Sequence, residues 1–416
     1  MGPILIFDKS TLQSLSIDEA VWLDTFYYAN ITPLFFVETL ADLEKEVAAG
    51  RTPEQVVGGL AEKTPIRGGG PNVHHGALCL ANLLGDPVLM DNRILLAGGR
   101  CVIADGRRGV IFERPPEMEA LERWKQGEFL DVERLFARAW RRALSELDLA
   151  NTTARLIGGA RIRDLADAKR AAEEFVRQDR ERYGVLSFAL DRLQIPNQFR
   201  GDIIRRWKAE GGPRLVDYAP YAAYVLTVEM FFSLAMGAGL ESTERRSHKI
   251  DLAYLYYLPF CMVFVSNDRF HERTAPLFLT GEQIFIRGSD LKSDLGKLDE
   301  YYSQLPEAVR EQGIMQFAFY PPIEGEFLIS QLWDRLMVSD WRERAKKKPE
   351  EMPREAQERI VKELKRLKTE GQPTEPFGSD VAEYVIIEHQ VPIRLGKWRL
   401  LPPELEKYAE EQSGEK

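Results

Sequence analysis

Short, uninterrupted apolar runs at the start of the chain predict strands that are buried on both faces of a parallel sheet. Ile4–Phe7 is such a run, and the mostly apolar residues 31–36 predict a second strand. Between them, Ser16 begins a capping-box pattern that predicts a helix over residues 17–28. Helical periodicity then covers residues 37–43. The order strand, helix, strand, helix indicates a βαβα start.

The same alternation resumes after residue 215. Apolar spacing predicts a helix over residues 225–236, a further helix that opens at Asp251, and strands over residues 262–265 and 283–287. The two parts of this pattern fit one sheet if the residues between them are an insertion. We therefore expect an α/β fold of three layers with a central, mostly parallel sheet.

The segment between the two parts has a different character. Its residues 87–113 predict a β-hairpin with turns at Gly98-Gly99 and Asp105-Gly106, and amphipathic helices follow from 118 to 209. Beyond residue 325 the chain is helical and highly charged, with a short β-like run near residue 384. The predicted organisation is a first core part (1–66), a mainly helical insertion (67–214), a second core part (215–325) and a charged helical C-terminal extension (326–416).

Composition narrows the class of protein. The chain has 416 residues, of which 44% are hydrophobic and 29% charged, so it can bury a large core. Its three cysteines lack a CxxC pair and support neither a disulfide framework nor a zinc cluster. Pro220 and Glu229 interrupt the apolar stretch 218–240, which predicts a buried helix rather than a membrane span. Since the sequence has no secretory leader, we expect a cytoplasmic protein without a membrane partner.

Charge is distributed unevenly along the chain, whose net charge is −9. Residues 1–60 hold 3 Lys/Arg against 9 Asp/Glu, whereas residues 134–214 hold 18 Lys/Arg against 11 Asp/Glu. An acidic core beside a basic segment suits a metal site that acts on a nucleic-acid backbone. Mixed-sign helices that are simply solvated give the same composition.

Four acidic residues stand at positions that converge in a parallel sheet. Asp8 follows the first strand, Glu38 begins the helix after the second, and Asp268 comes just past the third. Asp251 opens the helix that leads into that third strand. Because ligands bind outside the carboxyl ends of such strands, we expect these carboxylates to face one another. Their repulsion calls for cations, and oxygen ligands select Mg²⁺ or Mn²⁺, which can drive phosphodiester hydrolysis.

These residues, taken in this order, resemble the PIN domain. The resemblance lies in the strand ending at Asp8, in Glu38, in Asp251, and in a last motif in which Ser266, Asp268 and Phe270 match. It covers under a third of the chain, and the insertion is longer than a compact PIN domain carries. The resemblance implies a Mg²⁺- or Mn²⁺-dependent ribonuclease with Asp8, Glu38, Asp251 and Asp268 as metal ligands and Ser266 as a supporting polar contact.

Basic residues near the acids are candidate contacts for substrate phosphates, with single-stranded RNA as the expected substrate. Two of them, Arg205 and Arg206, lie in the basic segment 134–214, and the others flank Asp251 or Asp268: Arg245, Arg246, Lys249 and Arg269. Asp42, one helical turn after Glu38, is a candidate supporting residue. The alternative interpretation is that these basic residues only balance negative charges at the starts of helices.

Two other functions stay open. A haloacid-dehalogenase-type phosphatase also begins with a strand that ends in Asp, but Ser10 stands where its second Asp is expected. A degenerate PIN-like scaffold would bind a protein or nucleic-acid partner without catalysis. The choice between RNA and DNA, an inhibitory protein partner and a homo-oligomer are likewise open.

Overall fold

Ten strands and twenty α-helices make up the computed structural model, which describes residues 2–68, 71–96, 98–146, 162–241, 248–347, 353–374 and 382–403. These counts refer to those ranges. The strands are β1 Ile4–Phe7, β2 Tyr28–Asn30, β3 Gly99–Ala104, β4 Arg107–Phe112, β5 Val263–Ser266, β6 Ile284–Arg287, β7 Gln372–Pro373, β8 Tyr384–Ile387, β9 Arg394–Leu395 and β10 Trp398–Arg399.

The helices surround the strands along the whole chain. They are α1 Lys9–Ser14, α2 Ile17–Phe26, α3 Pro33–Ala48, α4 Pro53–Ala61, α5 His75–Leu84, α6 Pro116–Lys125, α7 Asp131–Glu146, α8 Leu165–Arg177, α9 Arg182–Arg192, α10 Asn197–Ala209, α11 Leu215–Tyr218, α12 Pro220–Gly237, α13 His248–Tyr254, α14 Arg269–Phe278, α15 Gly288–Ser303, α16 Glu307–Arg310, α17 Ile314–Phe317, α18 Leu328–Leu336, α19 Trp341–Lys346 and α20 Arg354–Glu370. A 3₁₀-helix, Leu255–Phe260, joins α13 to β5.

Four of the strands form the central sheet in the order β2-β1-β5-β6, and every neighbouring pair is parallel. Ile6 pairs with Asn30 on one side and with Phe264 on the other. The predicted α/β class with a mostly parallel central sheet is therefore confirmed. The carboxyl ends of β1 and β5 lie side by side, so the residues that follow these two strands meet at one edge.

The second strand lies earlier in the chain than the sequence predicts. The prediction of a strand over residues 31–36 is wrong, because β2 ends at Asn30 and α3 begins at Pro33. Proline suits the first position of a helix, since its ring already has the helical φ angle and the missing N–H would have had no partner. Glu38 consequently lies in the second turn of α3 rather than at its start.

Alternating side chains of β1 belong to two different cores, as the period of a strand requires. Ile6 packs with α12 and the neighbouring helices on one face of the sheet. Leu5 and Phe7 pack on the other face among aromatic side chains such as Trp22 and Trp398. The central sheet is thus covered on both faces.

Helix α12 is the main helix of the first core. It holds the apolar stretch that the sequence predicts as a buried helix, and its side chains are buried on nearly every side, including the carboxyl-bearing Glu229. Buried residues of α8, α9 and α10 belong to the same core. Among the described residues, no helix combines the length and the apolar character needed to cross a membrane.

A second sheet lies apart from the first and has the order β7-β3-β4-β8. The predicted turn at Asp105-Gly106 is confirmed, and both residues have positive φ angles, of 47° and 75°. β8 pairs with β4 in parallel, and β7 pairs with β3. Residues beyond 370 therefore add two strands to the hairpin of the 67–214 segment.

Candidate metal centre

Asp8 is held rigidly at the carboxyl end of β1. One carboxylate oxygen accepts hydrogen bonds from the backbone N (2.8 Å) and the hydroxyl (2.6 Å) of Thr11, so Asp8 caps the start of α1. The other oxygen accepts from the hydroxyls of Ser10 (2.8 Å) and Ser266 (2.7 Å). Asp8 is only 3% exposed. These four hydrogen bonds fix the orientation of the carboxyl group.

The end of β5 supplies the matching part of the site. Ser266, the last residue of β5, accepts a hydrogen bond from the backbone N of Asp268 at 2.9 Å. Asp268 caps α14 through a 2.6 Å hydrogen bond from the backbone N of Phe270. Ser266 thus joins the two strand ends, because it donates to Asp8 and accepts from Asp268.

A buried histidine, His271, extends this arrangement. Its Nδ1 lies 2.7 Å from the Ser266 hydroxyl, its Nε2 lies 2.6 Å from the carbonyl oxygen of Asp251, and the residue is fully buried. A carbonyl oxygen only accepts, so Nε2 carries a hydrogen. The Ser266 hydroxyl has a single proton, which it donates to Asp8, and its oxygen lies within hydrogen-bond distance of Nδ1. A chain of contacts therefore runs from Asp8 through Ser266 and His271 to the backbone of Asp251.

Glu38 approaches the same region from α3. Its carboxylate accepts a 2.9 Å hydrogen bond from the hydroxyl of Tyr254. Burial raises the pKa of Glu38 to about 7; the charge of Lys9 opposes this rise, while Asp8 contributes to it and the Tyr254 hydrogen bond also opposes it. Lys9 forms an ion pair with Asp42, and its side chain is 7% exposed. An ammonium group therefore lies among the carboxylates.

Asp251, in α13, has the most perturbed carboxyl group of the four. That group accepts no hydrogen bond from any described residue. Burial, followed by the charges of Asp268, Glu38, Asp8 and Asp42, raises the pKa of Asp251 to about 8. No cation is among these main causes. The other predicted ligands thus all act on Asp251 electrostatically, together with Asp42.

The four carboxyl groups act on one another electrostatically, but among the described residues they do not form a set of metal ligands. Across the described ranges, no three Asp, Glu, His or Cys side chains are arranged to hold a metal ion. The two observations are compatible, because charges act over longer distances than coordination bonds and unpaired carboxylates repel one another. The oxygen-only donors suit Mg²⁺ or Mn²⁺ in kind, and the Asp251 carboxylate has no hydrogen-bond donor within the described part of the chain.

The basic residues predicted to contact phosphates near the site differ in where the structure places them. Arg269 is exposed next to Asp268 and stays a candidate. Lys249 is paired with buried Glu229, which also contacts Arg192 at 2.9 Å, so the structure does not bring Lys249 to the carboxylates. Arg245 and Arg246 lie outside the described residues.

The remaining pair, Arg205 and Arg206, lies toward the opposite edge of the sheet. Arg206 stacks on Tyr218 at 4.7 Å, just before α12, and donates to the carbonyl of Leu83. The start of α12 lines a cavity with Pro259 and Gln283, which precede β5 and β6. From this start, the 18 residues of α12 extend about 27 Å toward the edge of the sheet where the carboxylates lie. The expectation that Arg205 and Arg206 flank the carboxylates is therefore not supported.

Three residues of the site have roles that sequence reasoning missed: Lys9, Tyr254 and His271. Lys9 directly follows Asp8, and a lysine at the first position of a helix after a strand-end acid was an available signal. Tyr254 lies three residues after Asp251 on α13, so it shares a helix face with that residue. The contact between His271 and the Asp251 carbonyl depends on the tertiary fold, and no sequence spacing indicates it.

No protein-family model, curated protein or solved structure matches the chain. The resemblance to the PIN domain therefore rests on the sequence residues quoted above and stays an expectation.

Proposed function

We propose that this chain is a divalent-metal-dependent nuclease with a PIN-like core, and that it cleaves single-stranded RNA. The supporting observation is the carboxyl group of Asp251. It lacks a hydrogen-bond donor among the described residues and lies in the negative field of Asp268, Glu38 and Asp8. A half-buried carboxylate in such surroundings is stabilised by a cation, and oxygen donors favour Mg²⁺ or Mn²⁺.

In this proposal Asp8, Glu38, Asp251 and Asp268 hold the metal. The bound ion would activate water and stabilise the charge on the leaving oxygen of the phosphodiester. Asp8 presents a carboxylate whose orientation is set by its four hydrogen bonds, including the one from Ser266. Asp42 acts indirectly, because it holds the ammonium group of Lys9 beside Glu38.

Of the predicted phosphate contacts that the structure describes, Arg269 is the one that lies beside a proposed ligand and is exposed. It is exposed, and it follows Asp268 directly at the start of α14. A guanidinium group there can bind a phosphate oxygen next to the metal and orient the backbone for cleavage. Backbone contacts of this kind make binding dependent on salt and tolerant of sequence.

The proposal is tested by incubating purified protein with a labelled single-stranded RNA and Mn²⁺ or Mg²⁺. We expect cleavage that stops in chelator and is lost in the variant Asp8→Asn. Asp91→Asn is a matched control, because it removes an exposed carboxylate whose partner among the described residues is Arg93. Cleavage that persists in Asp8→Asn, or that also disappears in Asp91→Asn, would contradict the assignment.

The ion pair between Lys9 and Asp42 favours a second candidate, the degenerate scaffold. An ammonium group that is nearly buried among carboxylates already supplies one positive charge, so a partner-binding protein with this core would not need a metal. The two candidates differ in a titration with Mn²⁺, which binds to the nuclease and not to the scaffold. A phosphatase of the haloacid-dehalogenase type is disfavoured, because Ser10 stands where its second Asp is expected.

A further inference from the structure

We infer that His271 is a positioning residue for the metal site and that it sets the relative placement of Asp8 and Asp251. The inference rests on the proposed function. His271 is the fourth residue of the segment that begins at Asp268, yet it points back into the protein and is fully buried. One imidazole thereby contacts structures that carry two of the proposed ligands.

The first contact of His271 reaches Asp8 through Ser266. The imidazole Nδ1 is 2.7 Å from the Ser266 hydroxyl, which lies 2.7 Å from the Asp8 carboxylate. The same hydroxyl accepts the backbone N–H of Asp268 at 2.9 Å. A serine hydroxyl rotates freely unless its partners fix it, so the imidazole determines where its proton and lone pairs point. His271 thus influences two strand ends through a single oxygen.

The second contact reaches Asp251 through its backbone. The imidazole Nε2 is 2.6 Å from the carbonyl oxygen of Asp251. α13 has only seven residues, and packing over so short a helix constrains the azimuth of each side chain weakly. The hydrogen bond fixes the peptide group next to the Asp251 carboxyl, which itself has no donor among the described residues. His271 therefore supplies a restraint that the carboxyl group lacks.

Aromatic neighbours hold the imidazole in this orientation. The rings of Tyr254, Phe264 and Phe270 lie 5.6, 5.2 and 5.8 Å from it, centroid to centroid. A ring that is packed on several sides keeps one rotamer, which is what a residue that orients metal ligands requires.

Three substitutions separate the two contacts. His271→Asn keeps a polar group near the position of Nδ1 and so retains the Ser266 contact. His271→Gln places its amide near the position of Nε2 and retains the contact with the Asp251 carbonyl. His271→Phe keeps the aromatic packing and loses both hydrogen bonds. Thr274→Val is the matched control, because that buried hydroxyl donates only to the Phe270 carbonyl on the same helix.

The measurement is calorimetric titration of each full-length variant with Mn²⁺ alone, together with thermal melting in chelator. We expect His271→Phe to weaken Mn²⁺ binding about 100-fold and each single-contact variant about 10-fold, the range seen when a partner of a metal ligand is removed. Thr274→Val should melt at a lower temperature than the wild type and still bind Mn²⁺ normally. In the RNA assay, the His271 variants should lose kcat at a fixed Mn²⁺ concentration while KM for RNA is kept.

The possible results lead to distinct conclusions. Wild-type protein that fails to bind Mn²⁺ overturns the proposed function and this inference together. Wild-type protein that binds, with all His271 variants binding equally well, overturns only the inference. If His271→Phe fails to fold, the other two variants decide the matter. His271→Asn and His271→Gln are compared with Thr274→Val at equal loss of melting temperature. If their Mn²⁺ affinity falls no more than that of Thr274→Val, His271 has a purely structural role.

Discussion

Replacing Asp251 by asparagine is expected to stabilise the metal-free protein at alkaline pH and to remove its metal binding. Burial and the charges of Asp268, Glu38 and Asp8 raise the pKa of Asp251 from 3.8 to about 8. A pKa that is higher in the folded than in the unfolded state means that wild-type stability falls as pH rises from about 4 to about 8. Asparagine does not ionise, so the variant escapes this loss.

The size of the effect follows from the same pKa. Each unit corresponds to about 1.4 kcal/mol, so the difference between 3.8 and about 8 sets an upper limit of about 6 kcal/mol above pH 8. Neighbouring carboxylates can move apart, and Glu38, with a pKa of about 7, also takes up protons. We therefore expect a gain of about 2 to 3 kcal/mol for the variant at alkaline pH and little gain near pH 4.

The assay is urea unfolding of both proteins in chelator at about pH 4.5 and about pH 8.5, repeated with Mn²⁺ at the higher pH. The variant should be the more stable protein in chelator only at the higher pH. Added Mn²⁺ should raise the stability of the wild type and leave the variant unchanged. A stability difference that is the same at both pH values would show that Asp251 does not lie in a repulsive cluster, and the reasoning would fail.

Other substitutions test neighbouring parts of the site. Glu229→Gln should cost about 3 kcal/mol, because it leaves Lys249 and Arg192 without a buried counter-charge. Burial alone would raise the pKa of Glu229, but these two cations hold it below its ordinary value. The stability that ionised Glu229 contributes is therefore lost as the pH falls. Urea unfolding at several pH values measures this loss. Lys9→Met should raise the pKa of Glu38 above about 7, as carboxyl NMR titration would report, and a lower pKa would contradict the placement of Lys9. Charge reversal at Arg269 should weaken RNA binding in a filter assay more than charge reversal at Arg205, and the opposite order would place the substrate at the other edge of the sheet.

The strand ends of this fold were predictable from sequence. Ile4–Phe7 and Val263–Ser266 are apolar runs that end in polar residues, and the order of elements required them to be parallel. Since parallel strands place their carboxyl ends at one edge, the proximity of Asp8 and Asp268 followed from pattern alone.

The second strand and its helix were not predictable in the same way. Residues 31–36 are mostly apolar, and a buried helix start and a buried strand look alike over so few residues. Pro33 was the available signal, because it fits the first position of a helix.

The inner supports of the site lie beyond the reach of sequence patterns. The role of His271 has no signal in the sequence, because its burial against Ser266 and Asp251 depends on how α13 crosses α14. For the basic segment 134–214, the number of charges could be counted from the sequence. Its position relative to the carboxylates could not be predicted, because that depends on how its helices pack against α12. Composition gives the number of charges, and tertiary structure gives their neighbours.

The central claim is that Asp8, Glu38, Asp251 and Asp268 share a divalent ion, and a crystal soaked in Mn²⁺ tests it most directly. Anomalous diffraction at the manganese edge should show a peak at the carboxyl ends of β1 and β5, with oxygens of Asp8 and Asp251 among its ligands. The same soak of Asp251→Asn crystals should lose the peak. A data set with no peak at this edge, or with its strongest peak elsewhere on the protein, would contradict the account.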